Sequence, residues 1–195
     1  GVFGRFDGLL LSYQTERLGK FNVVGGYPVE RSTDTAINND QVFYGISADL
    51  PSRMEHWDYS VYAIAQQAGN LADRRAVGGE ARYLDDSRSL LALLDYDTHF
   101  QEFNAAIFNG SWTFADKSSI HGGVDYRKSP YLTSWNALQG QQVRTLYELL
   151  KMRTREEMAQ MAVDRTATYT SASVGYSRPL TDKIQLNVDM TAAHI

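Results

Sequence analysis

The segment IQLNVDMTA, residues 184–192, decides the fold, because its apolar and polar side chains alternate strictly. Its apolar members run from Ile184 to Ala192 at even positions, and polar members such as Asp189 lie between them. Successive side chains of a β-strand point to opposite sides, so a period of two is typical of a strand with two unlike faces. The segment therefore predicts a strand with one apolar and one polar face.

The same alternation recurs along the whole chain of 195 residues. It is clear at residues 42–50, 90–99, 106–114 and 120–127, and weaker at 7–14, 21–29, 57–66, 76–84 and 167–180. Together these segments predict about ten strands of about eight to eleven residues, the length that a tilted strand needs to cross a bilayer. We therefore expect an all-β fold, an antiparallel up-and-down meander that forms part of a transmembrane β-barrel.

Composition excludes several other classes of protein. No run of about eighteen apolar residues is present, which excludes a transmembrane helix. The net charge is -4 and the charges are interspersed, so the chain lacks the basic surface of a nucleic-acid binder. There is no cysteine, which excludes disulfide scaffolds and thiolate zinc sites.

Motifs for catalysis are absent as well. The chain contains no nucleophile elbow, phosphate-binding loop, zinc-protease motif or dinucleotide fingerprint. Asp95, Asp97 and His99 alternate along one segment, but D-x-D-x-H on a strand is a weak signal for a metal or an acid–base site. We expect no enzymatic activity, no cofactor and no metal.

The connections between the expected strands differ in length. Short polar connections are expected at residues 15–20, 51–56, 85–89, 116–119 and 181–183, and longer ones at 28–41, 67–75 and 128–166, with 98–102 as a compact exception. Outer-membrane barrels have this asymmetry, with short periplasmic turns and longer outer loops. Such barrels begin and end on the periplasmic side, so residues 1–195 are expected to form a partial barrel with a strand missing before Gly1 and another after Ile195.

Aromatic residues cluster near the short connections. The set comprises Tyr13, Phe21, Trp57, Tyr83, Trp112, Phe114 and Tyr176. Amphipathic rings prefer the boundary between lipid headgroups and water, so these residues are candidates for a membrane-interface girdle. Cross-strand aromatic pairing in a soluble sheet is the alternative.

Between the eighth and ninth strands the period changes to that of a helix. The repeating apolar residues are Leu146, Leu149, Leu150, Met158 and Met161. Thr154 and Glu157 form a T-x-x-E capping box, so two short helices are expected within an insertion at about 138–165. The insertion either constricts or plugs the barrel mouth, or packs its apolar stripe on the barrel rim.

Charged residues collect at the polar positions of the strands. They are Asp49, Asp58, Glu80, Arg82, Asp95, Asp97, Asp125, Arg127 and Asp189, with His99 and His121 beside them. In a barrel these side chains would face the lumen, where charge sets selectivity. The alternative is that they form ion pairs that fill the interior, as the spacing of Glu80 and Arg82 suggests.

Three runs give the chain a family resemblance. DRRAVGGE at 73–80, DYRKSP at 125–130 and DRTAT at 164–168, with the helical insertion before the last, resemble the porin-like barrel region of large Gram-negative outer-membrane proteins. The chain is similar in kind to the polysaccharide exporters, in which a periplasmic helical-repeat scaffold precedes the barrel. The resemblance implies outer-membrane location, with lipid, polysaccharide and a helical-repeat scaffold as partners.

Two functions from different classes follow, with a third in reserve. The first is a porin-like or export barrel that passes a polar solute or polysaccharide. The second is a non-conducting barrel that anchors a surface or periplasmic assembly. The third is a soluble β-sandwich or lipocalin-like binding protein, whose apolar faces would pack inside.

Overall fold

A computed structural model describes residues 6–28, 41–51 and 54–195. These residues form one antiparallel sheet whose strands follow the order of the chain. The strands are β1 (Phe6–Thr15), β2 (Gly19–Pro28), β3 (Gln41–Leu50), β4 (Trp57–Ala68), β5 (Leu71–Leu84), β6 (Arg88–Asp97), β7 (Glu102–Thr113), β8 (Ser119–Ser129), β9 (Ala167–Thr181) and β10 (Ile184–His194). The all-β meander of ten strands is confirmed.

The strand positions also agree with the alternation in the sequence. Each expected strand lies within an observed one, apart from a few residues at its ends and Val29, which lies outside the described residues. Each strand pairs with its neighbours in the chain, and β1 and β10 do not pair with each other. The sheet is therefore open in the part of the chain that the structure describes.

At one end of the strands the connections are short, and side-chain hydrogen bonds hold them. Asp85 accepts hydrogen bonds from the backbone amides of Ser87 (2.8 Å) and Arg88 (2.6 Å). Asp116 accepts one from the amide of Ser118 (3.0 Å). An aspartate that binds the amides two or three residues onward closes a tight turn. The expectation of short turns at this edge is confirmed for these two connections.

The expected long loop at 67–75 is wrong. Strand β4 continues to Ala68, and a tight turn at Gly69 and Asn70 leads directly into β5. Gly69 has a φ of +57°, a backbone conformation that glycine adopts without strain. The polar residues that indicated a loop lie within β5. Residues 98–101 also form a short connection, so the insertion after β8 is the long connection of this edge among the described residues.

The insertion occupies residues 130–166 and holds a 3-10 helix (Ser134–Leu138), α1 (Leu146–Leu150) and α2 (Arg155–Asp164). The capping box of α2 is present: the Glu157 amide donates to Thr154 Oγ1 (3.1 Å), and the Thr154 amide donates to Glu157 Oε2 (2.9 Å). The two short helices and their position between β8 and β9 are confirmed. Among the described residues, no helix has the length and apolar character to span a membrane.

The main apolar core lies inside this insertion and between it and the sheet. Leu132, Leu149 and Ala162 have no exposed surface, and Met158 is 3% exposed. They pack against Phe100 and against Ala68 and Leu71, which flank the β4–β5 turn. Complete burial of a side chain such as leucine contributes roughly 1.5–3 kcal/mol. The insertion is therefore a packed unit held against the edge of the sheet where β4 ends.

Candidate functional site

The register of the strands divides the side chains into two faces. Residues directly opposite each other in an antiparallel ladder point to the same side. Asp58 lies opposite Arg82 on β5, and Arg82 lies opposite Leu91 on β6. Following such pairs from strand to strand defines a polar face, which includes Asp58, and an apolar face, which includes the neighbouring Trp57.

All nine charged residues singled out in the sequence lie on the polar face. The pairings that establish this include Asp49 with Ser60, Ser60 with Glu80, Gly78 with Asp95, Ala76 with Asp97, Asp95 with Ala105, Ala105 with Arg127, Ile107 with Asp125, and Gly175 with both His121 and Asp189. That this face lines a lumen stays a prediction. Leu91, Leu93 and Ile107 lie on the same face, so apolar side chains lie among its charged ones.

Most of these charges are paired within the sheet. Glu80 with Arg82 and Asp125 with Arg127 form ion pairs two residues apart on one strand. Across strands, His121 Nε2 lies 3.0 Å from Asp189 Oδ1. Charge pairing on the polar face is therefore extensive, as the second interpretation of these residues expected. Asp49 lies opposite Lys20 in the ladder, which places a cation beside it as well.

A buried polar cluster lies where β4, β5 and β6 meet. Asp95 is 2% exposed, and its Oδ2 accepts hydrogen bonds from the Tyr62 hydroxyl (2.5 Å) and from Arg74 Nη2 (2.7 Å). The Tyr62 ring lies against Gly78, where a Cβ atom would collide with it. Neither Tyr62 nor Arg74 was among the site residues predicted from the sequence, although Tyr62 has the spacing of a polar-face residue. Gly78 is thus a site of ring accommodation.

Two β-bulges fix the insertion to the sheet. The ladder skips Asp73 on β5, because Gln66 pairs with Arg74 and Gln67 with Ala72. It skips Asn104 on β7 in the same way. Both bulge residues are fully buried, and each accepts a hydrogen bond from the backbone of the insertion.

The bonds from the bulges reach the first residues of the insertion. The Ser134 amide donates to Asp73 Oδ1 (2.9 Å), and the Leu132 amide donates to Asn104 Oδ1 (3.0 Å). Bulges are known to re-aim side chains and to end regular pairing. Here they turn two polar side chains toward a segment about 30 and 60 residues away, which no local sequence pattern could reveal.

The start of the insertion reaches over the polar face. The Tyr131 ring lies over the Arg74 guanidinium, with 4.7 Å from Arg74 Cζ to the ring centroid. Lys128 is buried and its Nζ lies 3.4 Å from Glu102 Oε2. The helices lie further out, on the residues that flank the turns of this edge. The helices of the insertion thus lie at the end of the strands, whereas Tyr131 lies over the polar face.

The five apolar residues of the possible constriction or plug helix pack inside the insertion. Leu146, Leu149 and Met158 are buried in the core of the insertion, and Leu150 and Met161 pack against that core. Their shared helical spacing therefore reflects the internal packing of the insertion. Their apolar surface is used within the insertion, and that these helices constrict or plug a barrel mouth stays a prediction.

The seven aromatic residues lie at the end of the strands where the short turns are. Tyr13 is paired with Phe21, Trp57 with Tyr83, and Ile120 with both Trp112 and Tyr176, all on the apolar face. Phe114 follows β7 directly and stacks on Trp112 at 5.0 Å. The Trp57 and Tyr83 rings lie 5.1 Å apart. These contacts produce an aromatic row across the sheet.

The side chains of the apolar face are exposed between this aromatic row and the other end of the strands, where the insertion lies. The large side chains of this face remain 46–57% exposed from β3 to β10, and they include Ile46, Val61, Val77, Leu94, Phe108, Val124, Val174 and Val188. Leu9 on β1 and Met190 on β10 are 64% and 69% exposed. The described part of the chain places no second layer on this face, so the two-sheet sandwich of the third interpretation does not form there.

The carboxylates of the alternating Asp95 and Asp97 are bonded to other groups of the chain. Asp95 is bonded to Tyr62 and Arg74, and Asp97 accepts hydrogen bonds from the amides of His99 (2.8 Å) and Phe100 (3.0 Å). Burial lowers the pKa of His99, which favours its neutral form at pH 7. Within the described ranges, no group of three metal-ligating side chains comes together.

Comparison with known proteins leaves the geometry as the basis for interpretation. No family model, no curated protein and no solved structure matches this chain. The functional assignment therefore depends on the two faces of the sheet and on the insertion.

Proposed function

We propose that the chain forms part of the wall of a bacterial outer-membrane β-barrel, and that its polar face lines a passage for a polar solute or polysaccharide. The observation that supports this most is the exposure of the apolar face. Large apolar side chains are exposed along the strands, while the charged residues share the opposite face. That division is typical of a strand with lipid on one side and water on the other.

The size of the apolar surface favours lipid over water. Soluble monomers rarely expose a contiguous apolar patch of more than a few hundred Å². Here such residues follow one another across at least eight strands, and burying the exposed half of each would contribute about half of the roughly 1.5–3 kcal/mol of a whole side chain. The aromatic row at one edge suits the headgroup boundary, where amphipathic rings are favoured. Outer-membrane lipid is therefore the first partner that we propose.

The polar face suits contact with water. Its charges are mostly paired, and hydroxyl groups such as those of Ser89 and Ser111, whose oxygens lie 2.7 Å apart, lie between them. A surface of paired charges and hydroxyls can exchange hydrogen bonds with a passing polar molecule without holding it tightly. At the edge opposite the aromatic row, Tyr131 and the insertion would narrow the passage.

A second candidate, a non-conducting anchor, is favoured by the way the insertion is fixed. The bulge residues Asp73 and Asn104 hold its first turn, and the apolar core holds its helices. An insertion fixed in this way would suit a closed barrel that carries a surface domain or a periplasmic helical-repeat scaffold. The two candidates differ in whether the lumen conducts ions.

Membrane fractionation tests the location that both candidates share. The chain should be recovered with outer membranes, require detergent for extraction, and migrate faster on gels before heating than after it. Recovery of the chain in the soluble fraction without detergent would remove both candidates.

Conductance in planar bilayers separates the two candidates. Ser129 and Ala167 lie opposite each other at the ends of β8 and β9, so residues 130–166 can be replaced by a two-residue Asn-Gly hairpin turn. A passage protein whose barrel wall includes this chain should conduct with the insertion present and conduct more without it. An anchor should conduct only after the replacement. Silence of both proteins would contradict the passage function.

A further inference from the structure

Tyr131 presents an aromatic surface above the polar face. One side of its ring covers the Arg74 guanidinium, at 4.7 Å from Arg74 Cζ to the ring centroid. The residue is nevertheless 52% exposed, whereas its neighbour Leu132 has no exposed surface. The backbone is fixed directly beside it, because the Leu132 amide is bonded to Asn104. Tyr131 is therefore an open ring on a rigid support.

A second aromatic residue and an ion pair lie beside it. Arg127 on β8 is opposite Tyr169 on β9, and both point to the polar face. Arg127 Nε donates to Asp125 Oδ1 at 2.8 Å, and its side chain is still 49% exposed. Tyr131 and Tyr169 both lie close enough to Arg127 to interact with it electrostatically. Two tyrosines thus flank an accessible guanidinium–carboxylate pair.

We propose that Tyr131, Tyr169, Arg127 and Asp125 form a binding subsite for uncharged carbohydrate. A sugar ring has a face of C–H bonds, which suits the electron-rich face of a tyrosine ring. It also has an edge of hydroxyls, each a donor and an acceptor, which suits a guanidinium beside a carboxylate. This subsite deepens the proposed passage function by naming the class of solute.

The charges of the surroundings favour a neutral sugar. Arg127 is paired with Asp125, and Arg74 is paired with Asp95. A uronate would therefore bring its negative charge to a region whose two cations are already neutralised, and like charges repel.

Calorimetric titration of the detergent-solubilised full chain tests the subsite. The probes are hexamers of α-1,4-glucose, β-1,4-glucose and β-1,4-mannose, with hexagalacturonate as the anionic comparison. At least one neutral hexamer should bind with a dissociation constant in the millimolar range or below, and hexagalacturonate should bind at least tenfold more weakly.

Substitutions locate the binding. Tyr131→Ala should weaken binding about tenfold, while Tyr131→Phe, which keeps the ring, should stay within about twofold of the parent. Tyr147→Ala is the matched control, since Tyr147 is an exposed tyrosine on α1 of the same insertion and is 70% exposed. It should leave binding unchanged, and unaltered heat-dependent gel migration checks that each variant is folded.

The outcomes that overturn the subsite differ from those that overturn the passage function. Failure of all three neutral hexamers, stronger binding of hexagalacturonate, or equal losses in Tyr131→Ala and Tyr147→Ala would each refute the subsite. None of these results bears on conductance. Conductance without sugar binding would support the passage function and refute the subsite. Sugar binding without conductance would support the subsite and refute the passage function.

Discussion

Two regions of the molecule treat apolar side chains in opposite ways. Beneath the insertion, Leu149 has no exposed surface and is packed among other apolar residues. On the apolar face of the sheet, Leu94 is 54% exposed and Phe108 is 48% exposed. The insertion thus has a conventional protein core, whereas the apolar face of the sheet stays uncovered in the described part of the chain. The comparison shows that exposure, and not apolar content, distinguishes the two parts.

The largest expected effect lies in the core of the insertion. Leu149→Ala should cost about 2–5 kcal/mol of the stability of the insertion, because it removes a fully buried side chain and leaves a cavity. The matched change Leu94→Ala, at a side chain of the apolar face that is 54% exposed, should cost much less. Limited proteolysis between residues 130 and 166 measures the difference. Equal protection of the two variants would remove the contrast between the regions.

Neighbouring residues on β7 test the two faces directly. Phe108→Arg places a charge on the apolar face and should reduce insertion into the bilayer by about 2–4 kcal/mol. Asn109→Arg places the same charge on the polar face, where Asn109 lies opposite Leu91 and Gly123, and should have little effect. Refolding into lipid vesicles at a series of urea concentrations measures both. If Asn109→Arg were the more harmful, the assignment of the faces would be reversed.

The bulge anchors should give a smaller effect. Asn104→Ala removes the acceptor of the Leu132 amide and leaves a buried donor unsatisfied, which costs about 1–3 kcal/mol. Hydrogen exchange at the Leu132 amide should speed up accordingly, while the strand amides of β8 keep their protection. Asn109→Ala, at an exposed position of the same strand, is the control. Unchanged exchange at Leu132 would mean that the apolar core alone holds the insertion.

The smallest effect is expected in the β5–β6 turn. The Tyr83 hydroxyl and then the Ser87 amide hold the pKa of Asp85 well below its usual range. A depressed carboxyl pKa stabilises the fold above the pKa of the unfolded chain, and this contribution is lost as the pH falls through the folded pKa. Asp85→Asn should therefore lower the thermal stability at pH 7, and the difference from the parent should shrink below about pH 4. A difference that is constant with pH would contradict this role.

The strands and their faces could be predicted because they depend on a local pattern. Alternation over eight or more residues, as in 184–192, fixes both the strand and the side to which each residue points. The nine charged residues were assigned to the polar face in this way, and the seven aromatic residues were placed near the short turns by their positions in the sequence. The capping box at Thr154 and Glu157 is local as well, and it located the start of α2.

The rest depends on contacts that are distant in the chain. Asp73, Arg74 and Arg75 gave the appearance of a polar loop, whereas Asp73 is a bulge residue whose partner is Ser134. Tyr131 stood outside every periodic segment, and its role depends on Arg74 in β5. The helical apolar residues were correctly placed on helices, but their period could not distinguish packing within the insertion from lining an opening.

The simple strand order of the sheet determines how its number of strands can change. Because every strand pairs only with its neighbours in the chain, a hairpin is a self-contained unit. Addition or removal of one hairpin at the end of the strand order would widen or narrow the sheet without breaking any pairing among the other strands. The edge bearing the insertion is the exception, since its anchors join β5, β7 and the chain after β8. The sheet can therefore change its width by whole hairpins at one side while the strands that bear the insertion keep all their pairings.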